Sequence, residues 1–249
     1  MTPTTPEHQP ALLLAVSGPS SSGKTTLSRL LRDILSPHTF ILHEDDFYKT
    51  DAEIPVHDGL QDWDCLDSLN LPLLRNTLKH IQEHGSLPKD FESKEDKNAV
   101  GESGVDDSFV RACKTRLQAL LKEQNWSGPI AIIDGFLLFS EDMREIRQLF
   151  DIKLFLRTSY ETTKKRREAR EGYVTLEGFW EDPPGYVDKI VWPNYVRDHK
   201  FLFKDEDVEG ELDETKCREL RVEGMPAEYQ GSMTEVLRWA VDIVEKRMQ

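Results

Sequence analysis

The sequence predicts an α/β fold built on a parallel sheet with helices on both faces. Short apolar segments of strand length alternate along the chain with amphipathic segments of helical length. A glycine-rich turn follows the first apolar segment, and acidic residues directly follow two of the others. The 249 residues are enough for one enlarged domain of this class, at roughly 150 residues for an average domain.

The first elements are predicted to be a strand, a loop and a helix. Residues 12 to 16 form a continuous apolar run, which is typical of a strand buried in a parallel sheet. A helix is predicted from Thr25, because apolar side chains recur at spacings of three and four residues as far as Leu35. Further strands are predicted at residues 39 to 43, 129 to 133 and 152 to 156, with a weaker candidate at 220 to 222. The last helix begins at a capping box that runs from Ser232 to Glu235.

The composition is that of a globular protein with a strong negative charge. Hydrophobic residues make up 38% and charged residues 31% of the chain, which excludes collagen-like and wholly disordered proteins. The 32 Lys and Arg against 46 Asp and Glu give a net charge of −14, which repels nucleic acids over most of the surface. The apolar run at residues 11 to 16 is far shorter than the roughly 20 residues that span a bilayer.

These features favour a cytoplasmic protein. The first ten residues lack the basic start and apolar centre of a signal peptide. The isolated cysteines Cys65, Cys113 and Cys217 offer neither a disulfide framework nor a CxxC zinc pair. We therefore expect the protein to bind neither membranes nor nucleic acids. The sequence does not indicate its protein partners.

One domain is predicted over residues 11 to 249. Residues 1 to 10 hold three Pro and three Thr among few apolar side chains, which predicts a disordered leader. Residues 85 to 108 are strongly polar and are predicted to form a solvated loop. Residues 172 to 194 contain three Pro and several aromatic residues without periodicity, which indicates an irregular, partly ordered loop.

Residues 18 to 25 match the phosphate-binding pattern G-x-x-x-x-G-K-[ST] at every fixed position. In such a loop, glycines let backbone N–H groups approach phosphate oxygens, and the following helix adds its positive N-terminus. Lys24 is predicted to reach the β and γ phosphates, and Thr25 to place its hydroxyl on Mg²⁺. The predicted ATP-binding residues of the loop are Gly18, Pro19, Ser20, Ser21, Ser22, Gly23, Lys24, Thr25 and Thr26. The alternative is a Gly/Ser surface turn, which the flanking strand and helix disfavour.

Two carboxylates at the ends of predicted strands are candidates for chemistry. Ligands of open α/β sheets lie beyond the carboxyl ends of the strands, so Asp45 and Asp134 should face the crevice that holds the phosphate loop. Asp45 is predicted to orient an acceptor hydroxyl and take its proton. Asp134 is predicted to hold Mg²⁺ through water. The alternatives are helix capping for Asp45 or Asp46, and a turn role for Asp134.

A basic segment follows the strand predicted at residues 152 to 156. Its members are Lys164, Lys165, Arg166, Arg167 and Arg170. Arg166 and Arg170 are spaced i and i+4, and phosphoryl transfer relies on cations around the transferring group. Residues 160 to 194 are therefore predicted to form a closing lid, with a solvated helix face as the alternative.

Several blocks of the sequence together resemble the nicotinamide riboside kinase family. The blocks are the phosphate loop at 18 to 26, EDDFYK at 44 to 49, WD at 63 to 64, DGFLLF at 134 to 139, DPPGY at 182 to 186 and VWPNY at 191 to 195. They are spread over residues 12 to 196, and a phosphate-loop fold alone does not require the last of them.

The resemblance implies a P-loop NTPase-type, nucleoside-kinase-like fold. It implies an enzyme that uses ATP and Mg²⁺ to phosphorylate the ribose 5′-hydroxyl of nicotinamide riboside. The product would be nicotinamide mononucleotide, in NAD biosynthesis, and nicotinic acid riboside is an expected second substrate.

The resemblance also implies roles for single residues. Asp45 matches the family's catalytic aspartate, which also lies near Mg²⁺. Trp63 falls where the family has an aromatic residue on the pyridine ring, and Asp64 where a carboxylate binds the ribose hydroxyls. The other implied contacts are Arg166 and Arg170 to ATP, and Tyr48, Arg167 and Tyr173 to the riboside. Tyr173 would be the second aromatic residue against the ring, although residues 174 to 181 form a longer segment than the family pattern predicts.

Two other functions stay open at the level of the sequence. One is another small-molecule kinase of the same fold, acting on uridine, cytidine, pantothenate or a sugar phosphate; the Trp63-Asp64 pair and the VWPNY block argue against it. The other is a nucleotide-gated switch that binds ATP without phosphorylating an acceptor. If the protein is such a switch, ATP turnover should be slow and should not require Asp45.

Overall fold

The structure is a computed structural model that describes residues 9–93, 101–170, 172–174 and 178–249. Its strands are β1 (Leu12–Ser17), β2 (Thr39–His43), β3 (Val56–His57), β4 (Leu60–Gln61), β5 (Ile130–Gly135), β6 (Ile152–Phe155), β7 (Tyr173–Val174), β8 (Phe179–Trp180) and β9 (Glu223–Gly224). Its α-helices are α1 (Lys24–Leu35), α2 (Leu71–His84), α3 (Asp107–Glu123), α4 (Arg144–Arg147), α5 (Tyr160–Glu168), α6 (Trp192–His199), α7 (Glu214–Leu220) and α8 (Met233–Met248).

The central sheet has five parallel strands in the order β2-β5-β1-β6-β9. Ser17 at the end of β1 pairs with Gly135 at the end of β5, and His43 at the end of β2 pairs with Asp134. The carboxyl ends of these three strands therefore meet at one edge of the sheet. The phosphate loop follows β1 at this edge, as the sequence predicts.

Helices cover both faces of the sheet, because alternate side chains of each strand point to opposite sides. Leu14 and Val16 of β1 join a buried cluster with residues of α1, α3 and α8. Leu13 and Ala15 join a second cluster with residues of α2, α6 and α7. The predicted α/β architecture is confirmed. Within the described part of the chain, no helix is both long and apolar enough to cross a bilayer.

The last strand of the sheet lies later than predicted. Asp213 caps α7 by accepting N–H groups of its first turn, and this helix continues to Leu220. Arg221 then adopts a left-handed conformation with φ 54°, so pairing with β6 begins only at Glu223. The strand predicted at residues 220 to 222 is therefore wrong by three residues.

The polar loop is shorter than the predicted span of 85 to 108. Asp106 caps α3, which begins at Asp107, and the side chain of Val105 is buried in the core. At the other end, the rings of Phe91 and Phe47 stack with centroids 5.8 Å apart. Apolar side chains thus order both ends of the stretch. Residues 94 to 100 of the loop, like residues 1 to 8 of the predicted leader, lie outside the described residues.

The predicted lid is more regular than expected at its C-terminal end. α5 and the hairpin of β7 and β8 are followed by a π-helical segment, Val187–Val191, that leads into α6. Pro193 near the start of α6 has no N–H to donate, which disrupts an α-helical ladder at this point. Ile190 and Val191 are buried together with Tyr186, and this burial orders a stretch that was predicted to be irregular.

Candidate active site

The phosphate loop has a backbone that only glycine fits at its first position. Gly18 has φ 147°, and a Cβ there would lie 2.4 Å from the carbonyl oxygen of Leu156. Gly23 caps α1 with φ 98°. The hydroxyls of Ser21 and Ser22 are buried and, among the described residues, have no hydrogen-bond partner. These inward polar groups at a helix N-terminus suit a phosphate.

Lys24 lies where the charges of the predicted catalytic groups converge. Its ammonium donates to the carbonyl oxygen of Pro19 at 3.0 Å, so the side chain folds back over the loop. Burial lowers the pKa of Lys24, the negative charges of Asp134 and Asp45 oppose that effect, and the positive charge of Arg170 adds to it. The structure therefore brings these four predicted residues into one electrostatic environment.

Asp134 is a buried carboxylate at the end of β5. Its Oδ2 lies 3.2 Å from His43 Nδ1, and it also takes a hydrogen bond from the Thr25 side chain. Burial opposes ionisation of Asp134, but the hydrogen bond and charge of His43, the charge of Lys24 and the Thr25 bond together lower its pKa. The two predicted Mg²⁺ ligands, Thr25 and Asp134, are thus in contact.

Asp45 follows β2 in a short 3-10 helix, Glu44–Phe47. Its half-buried carboxylate lies close enough for its charge to raise the pKa of Tyr48, after the larger effect of burial on that phenol. The pKa of Tyr48 is also raised by Asp64. The charges of both the predicted base and the predicted ribose-binding carboxylate therefore act on Tyr48.

Glu44 beside Asp45 is a group to which the sequence assigned no role. It is fully buried, and its Oε2 accepts the N–H groups of Phe136 at 2.7 Å and Leu137 at 3.0 Å. Burial raises its pKa to about 8. A Cβ at Gly135 would lie 2.5 Å from this carboxylate, which explains the glycine after Asp134. Glu44 therefore holds its own segment, which also contains Asp45, against the residues that follow β5.

The basic helix α5 lies against the phosphate loop. Arg166 donates to the carbonyl oxygen of Ser21 at 3.1 Å, and Arg167 donates to Ser20 Oγ at 2.8 Å. A cavity of about 520 Å³ opens beside these contacts. Its lining includes Ser21, Ser22, Gly23, Thr26, Arg166, Arg170, Met225, Gln230 and Met233. Arg166 and Arg170 of the predicted lid thus share one cavity with the phosphate loop and Met225.

Arg167 joins the phosphate loop to the predicted riboside site. Its guanidinium binds both carboxylate oxygens of Asp64, at 2.8 and 2.9 Å, and both oxygens of Asp182, at 2.7 and 3.3 Å. Arg167 and Asp64 are buried. Burial raises the pKa of Asp64, and the charge of Arg167 opposes that rise. In this structure the predicted ribose carboxylate is paired with the predicted substrate arginine.

Trp63 is buried among aromatic rings. Tyr48 meets it edge to face with centroids 5.3 Å apart, and Trp180 lies on it with centroids 5.7 Å apart at an angle of 46°. Trp180 Nε1 donates to Asp182 at 2.8 Å, which ties this ring to the arginine network. The backbone of Tyr173 pairs with Trp180 in the hairpin, but its side chain lies outside what the structure describes. Trp180 was missed because residues 174 to 181 have no periodic pattern.

No family model matches the chain. A nicotinamide riboside kinase of Schizosaccharomyces pombe is 39% identical over 239 residues, which cover 96% of this chain and 98% of that protein. One of Saccharomyces cerevisiae is 37% identical over 84% of this chain and 86% of that protein. Nicotinamide riboside kinase 1 of Homo sapiens is 29% identical over 83% and 86%. These relatives confirm the resemblance inferred from the motifs.

Solved structures give a weaker likeness. A shikimate kinase from Acinetobacter baumannii in complex with shikimate is 12% identical and covers 95% of this chain and 94% of that chain, with a TM-score of 0.40.

Proposed function

The chain belongs to the nicotinamide riboside kinase family, and on that premise we propose that it transfers the γ-phosphate of ATP to the 5′-hydroxyl of nicotinamide riboside. The observation that most supports this activity is that the Arg167 guanidinium binds both Ser20 of the phosphate loop and Asp64 of the predicted riboside site. A kinase needs a nucleotide site and an acceptor site held side by side. Nicotinic acid riboside is proposed as a second acceptor.

In the proposed reaction, Asp45 accepts the proton of the 5′-hydroxyl while that oxygen attacks the γ-phosphorus. The new O–P bond forms as the bond from phosphorus to the β–γ bridging oxygen breaks, and ADP leaves with the electron pair. Lys24 stabilises the charge that develops on the phosphate oxygens, and Arg166 and Arg170 approach them from the lid.

Mg²⁺ fits the donors at the end of β5. Thr25 and Asp134 are oxygen donors already in contact, and Asp45 lies in the same electrostatic environment. Mg²⁺ prefers oxygen ligands and binds through one or two carboxylates together with substrate phosphates. When bound, it would neutralise charge on the β and γ phosphates.

We also propose that the enzyme acts in the cytoplasm, in line with its three free, buried cysteines.

Trp180 is our candidate for the second aromatic residue of the acceptor-ring site, in place of Tyr173. A ring stacked between Trp63 and Trp180 needs their planes about 7 Å apart, so the 5.7 Å separation of centroids has to widen on binding. Trp180→Leu should then raise KM for the riboside several-fold. The matched control is Phe179→Leu, because the neighbouring Phe179 is 61% exposed. If Tyr173→Leu raises KM and Trp180→Leu does not, the original assignment of Tyr173 is right.

The test of the function is release of ADP from ATP with no acceptor, with nicotinamide riboside and with uridine. We expect release to depend on nicotinamide riboside, with nicotinamide mononucleotide identified by mass. Faster turnover with uridine would make the protein a general nucleoside kinase. A slow rate that no acceptor changes would favour a nucleotide-gated switch.

A further inference from the structure

The acceptor loop, residues 61–64, carries Trp63 and Asp64 and contains one more carboxylate, Asp62, which is 0% exposed. We propose that Asp62, Asn194 and Tyr186 are positioning residues that fix the acceptor loop and thereby set the affinity for the riboside. This inference rests on the proposed function and deepens it, since none of the three is assigned a contact with substrate.

The carboxylate of Asp62 has partners in its own loop, in the hairpin just before it and in the distant helix α6. Asn194 Nδ2 of α6 lies 2.9 Å from both of its oxygens. The backbone N–H of Asp64 donates to Oδ1 at 3.0 Å, which bends the loop around the carboxylate. His57 Nδ1, from the hairpin of β3 and β4, lies 2.8 Å from Oδ2. A buried polar network whose groups are paired in this way rigidifies the backbone that carries it.

Asn194 extends the same network to the backbone of Asp64. Its Nδ2 donates to the Asp64 carbonyl oxygen at 3.2 Å, while its Oδ1 accepts from Arg197 Nη1 at 2.8 Å. The arginine has only donors, so its contact fixes which end of the amide faces Asp62. Asp64 is therefore held through both its N–H and its carbonyl group by residues other than its salt-bridge partner.

Tyr186 holds the other half of the loop. Its hydroxyl donates to the carbonyl oxygen of Gln61 at 2.9 Å and accepts the N–H of Trp63 at 3.0 Å. The side chain is 1% exposed. On the far side of the loop, Ser68 Oγ donates to the Trp63 carbonyl oxygen at 3.1 Å. The backbone on one side of the Trp63 ring is thus anchored by Tyr186, which precedes the π-helical segment of the lid, and on the other side by Ser68.

These contacts explain why residues in the DPPGY and VWPNY blocks accompany the Trp63-Asp64 pair. Tyr186 ends the first block and Asn194 belongs to the second, and both point at the acceptor loop rather than at the phosphate loop. A displacement of about 1 Å in the groups that position a substrate can cost roughly 10²-fold in rate. Loosening the network should therefore weaken riboside binding and spare ATP binding.

The experiment measures KM for nicotinamide riboside, KM for ATP and kcat for Asp62→Asn and Tyr186→Phe. Asp62→Asn can still accept the Asp64 N–H, but its new amide group meets the amide donor of Asn194. We expect KM for the riboside to rise roughly 10- to 100-fold, with KM for ATP within twofold of wild type. Tyr186→Phe removes two hydrogen bonds and keeps the ring, so a rise of about 3- to 10-fold is expected.

The control is Asp151→Asn, which weakens a carboxylate that accepts the N–H of Leu13 at 2.8 Å, away from the acceptor loop. It should lower the melting temperature without changing KM for either substrate. The inference is overturned if Asp62→Asn and Tyr186→Phe leave KM for the riboside within twofold of wild type, or raise KM for both substrates equally. If Asp62→Asn does not fold, Tyr186→Phe decides alone.

Failure of the proposed function looks different. Wild-type protein would then phosphorylate another nucleoside better than nicotinamide riboside, and the same KM comparison would be made with that acceptor. A selective rise in its KM would still support the positioning role.

Discussion

Replacing Arg167 by Met removes the cation at the centre of a buried network while keeping most of the side-chain volume. The guanidinium makes five contacts of 2.7 to 3.3 Å, to Asp64, Asp182 and Ser20. Its loss leaves two carboxylates close together without their counter-charge. Breaking a buried ion pair in this way costs about 3 to 5 kcal/mol. At roughly 2 to 4 °C per kcal/mol for a chain of this size, Tm should fall by roughly 6 to 20 °C.

The loss of stability in Arg167→Met should depend on pH. Burial already raises the pKa of Asp64, and the opposing charge of Arg167 disappears in the variant, so the pKa rises further. A carboxyl with a raised pKa binds its proton more tightly in the folded state, so the folded variant gains stability as pH falls. The difference in unfolding free energy between wild type and Arg167→Met should be largest near pH 8 and shrink toward pH 5.

The assay is urea unfolding and thermal melting at pH 5, 6.5 and 8. The matched control is Lys164→Met on the same helix, whose solvent-screened ion pair with Asp188 should contribute far less to stability. Adding Asp64→Asn and Asp182→Asn to Arg167→Met should recover most of the lost stability. A deficit below about 1 kcal/mol, or one that is the same at each pH, would refute this account of the network.

Four further outcomes are expected. Lys24→Ala should lower kcat by at least about 10²-fold and weaken ATP binding in calorimetry, and wild-type turnover would contradict the phosphate-loop assignment. Asp45→Asn should lower kcat by about 10²- to 10⁴-fold, with Asp46→Asn as the control; the reverse pattern would make Asp46 the base. Trp63→Leu should raise KM for the cationic nicotinamide riboside roughly 2- to 30-fold, and more than for nicotinic acid riboside or uridine, because cation-π attraction contributes roughly 0.5 to 2 kcal/mol; unchanged ratios would contradict a stacked pyridinium. Because the pKa of Glu44 is raised to about 8, this group holds a proton in the folded state that the unfolded state releases, so wild-type stability should fall as pH rises from about 5 to 8. In the wild type this proton contributes a slope of about 1.4 kcal/mol per pH unit to the free energy of unfolding. Glu44→Gln should lack that slope when unfolding is measured at pH 6, 7 and 8.

Features that depend on neighbouring residues could be predicted from the sequence. The fixed positions of the phosphate loop lie within eight residues, and the strand before it is a single apolar run, so pattern alone gives both. The sequence also predicts that Asp45 and Asp134 lie at the same edge of the sheet, because parallel strands place their carboxyl ends together. The parallel sheet and its helices agree with these predictions.

The tertiary structure decided which distant side chains meet. Asp62 and Asn194 are separated by 132 residues, and Arg167 and Asp64 by 103, so no local pattern could indicate either contact. Glu44 was missed for the same reason, since its partners are N–H groups of another segment, and the aperiodic segment that holds Trp180 likewise gave no sign of its contact with Trp63. Local sequence determines hydrogen-bonded periodicity and turn conformation, whereas the partner of a buried charge depends on how the whole chain packs.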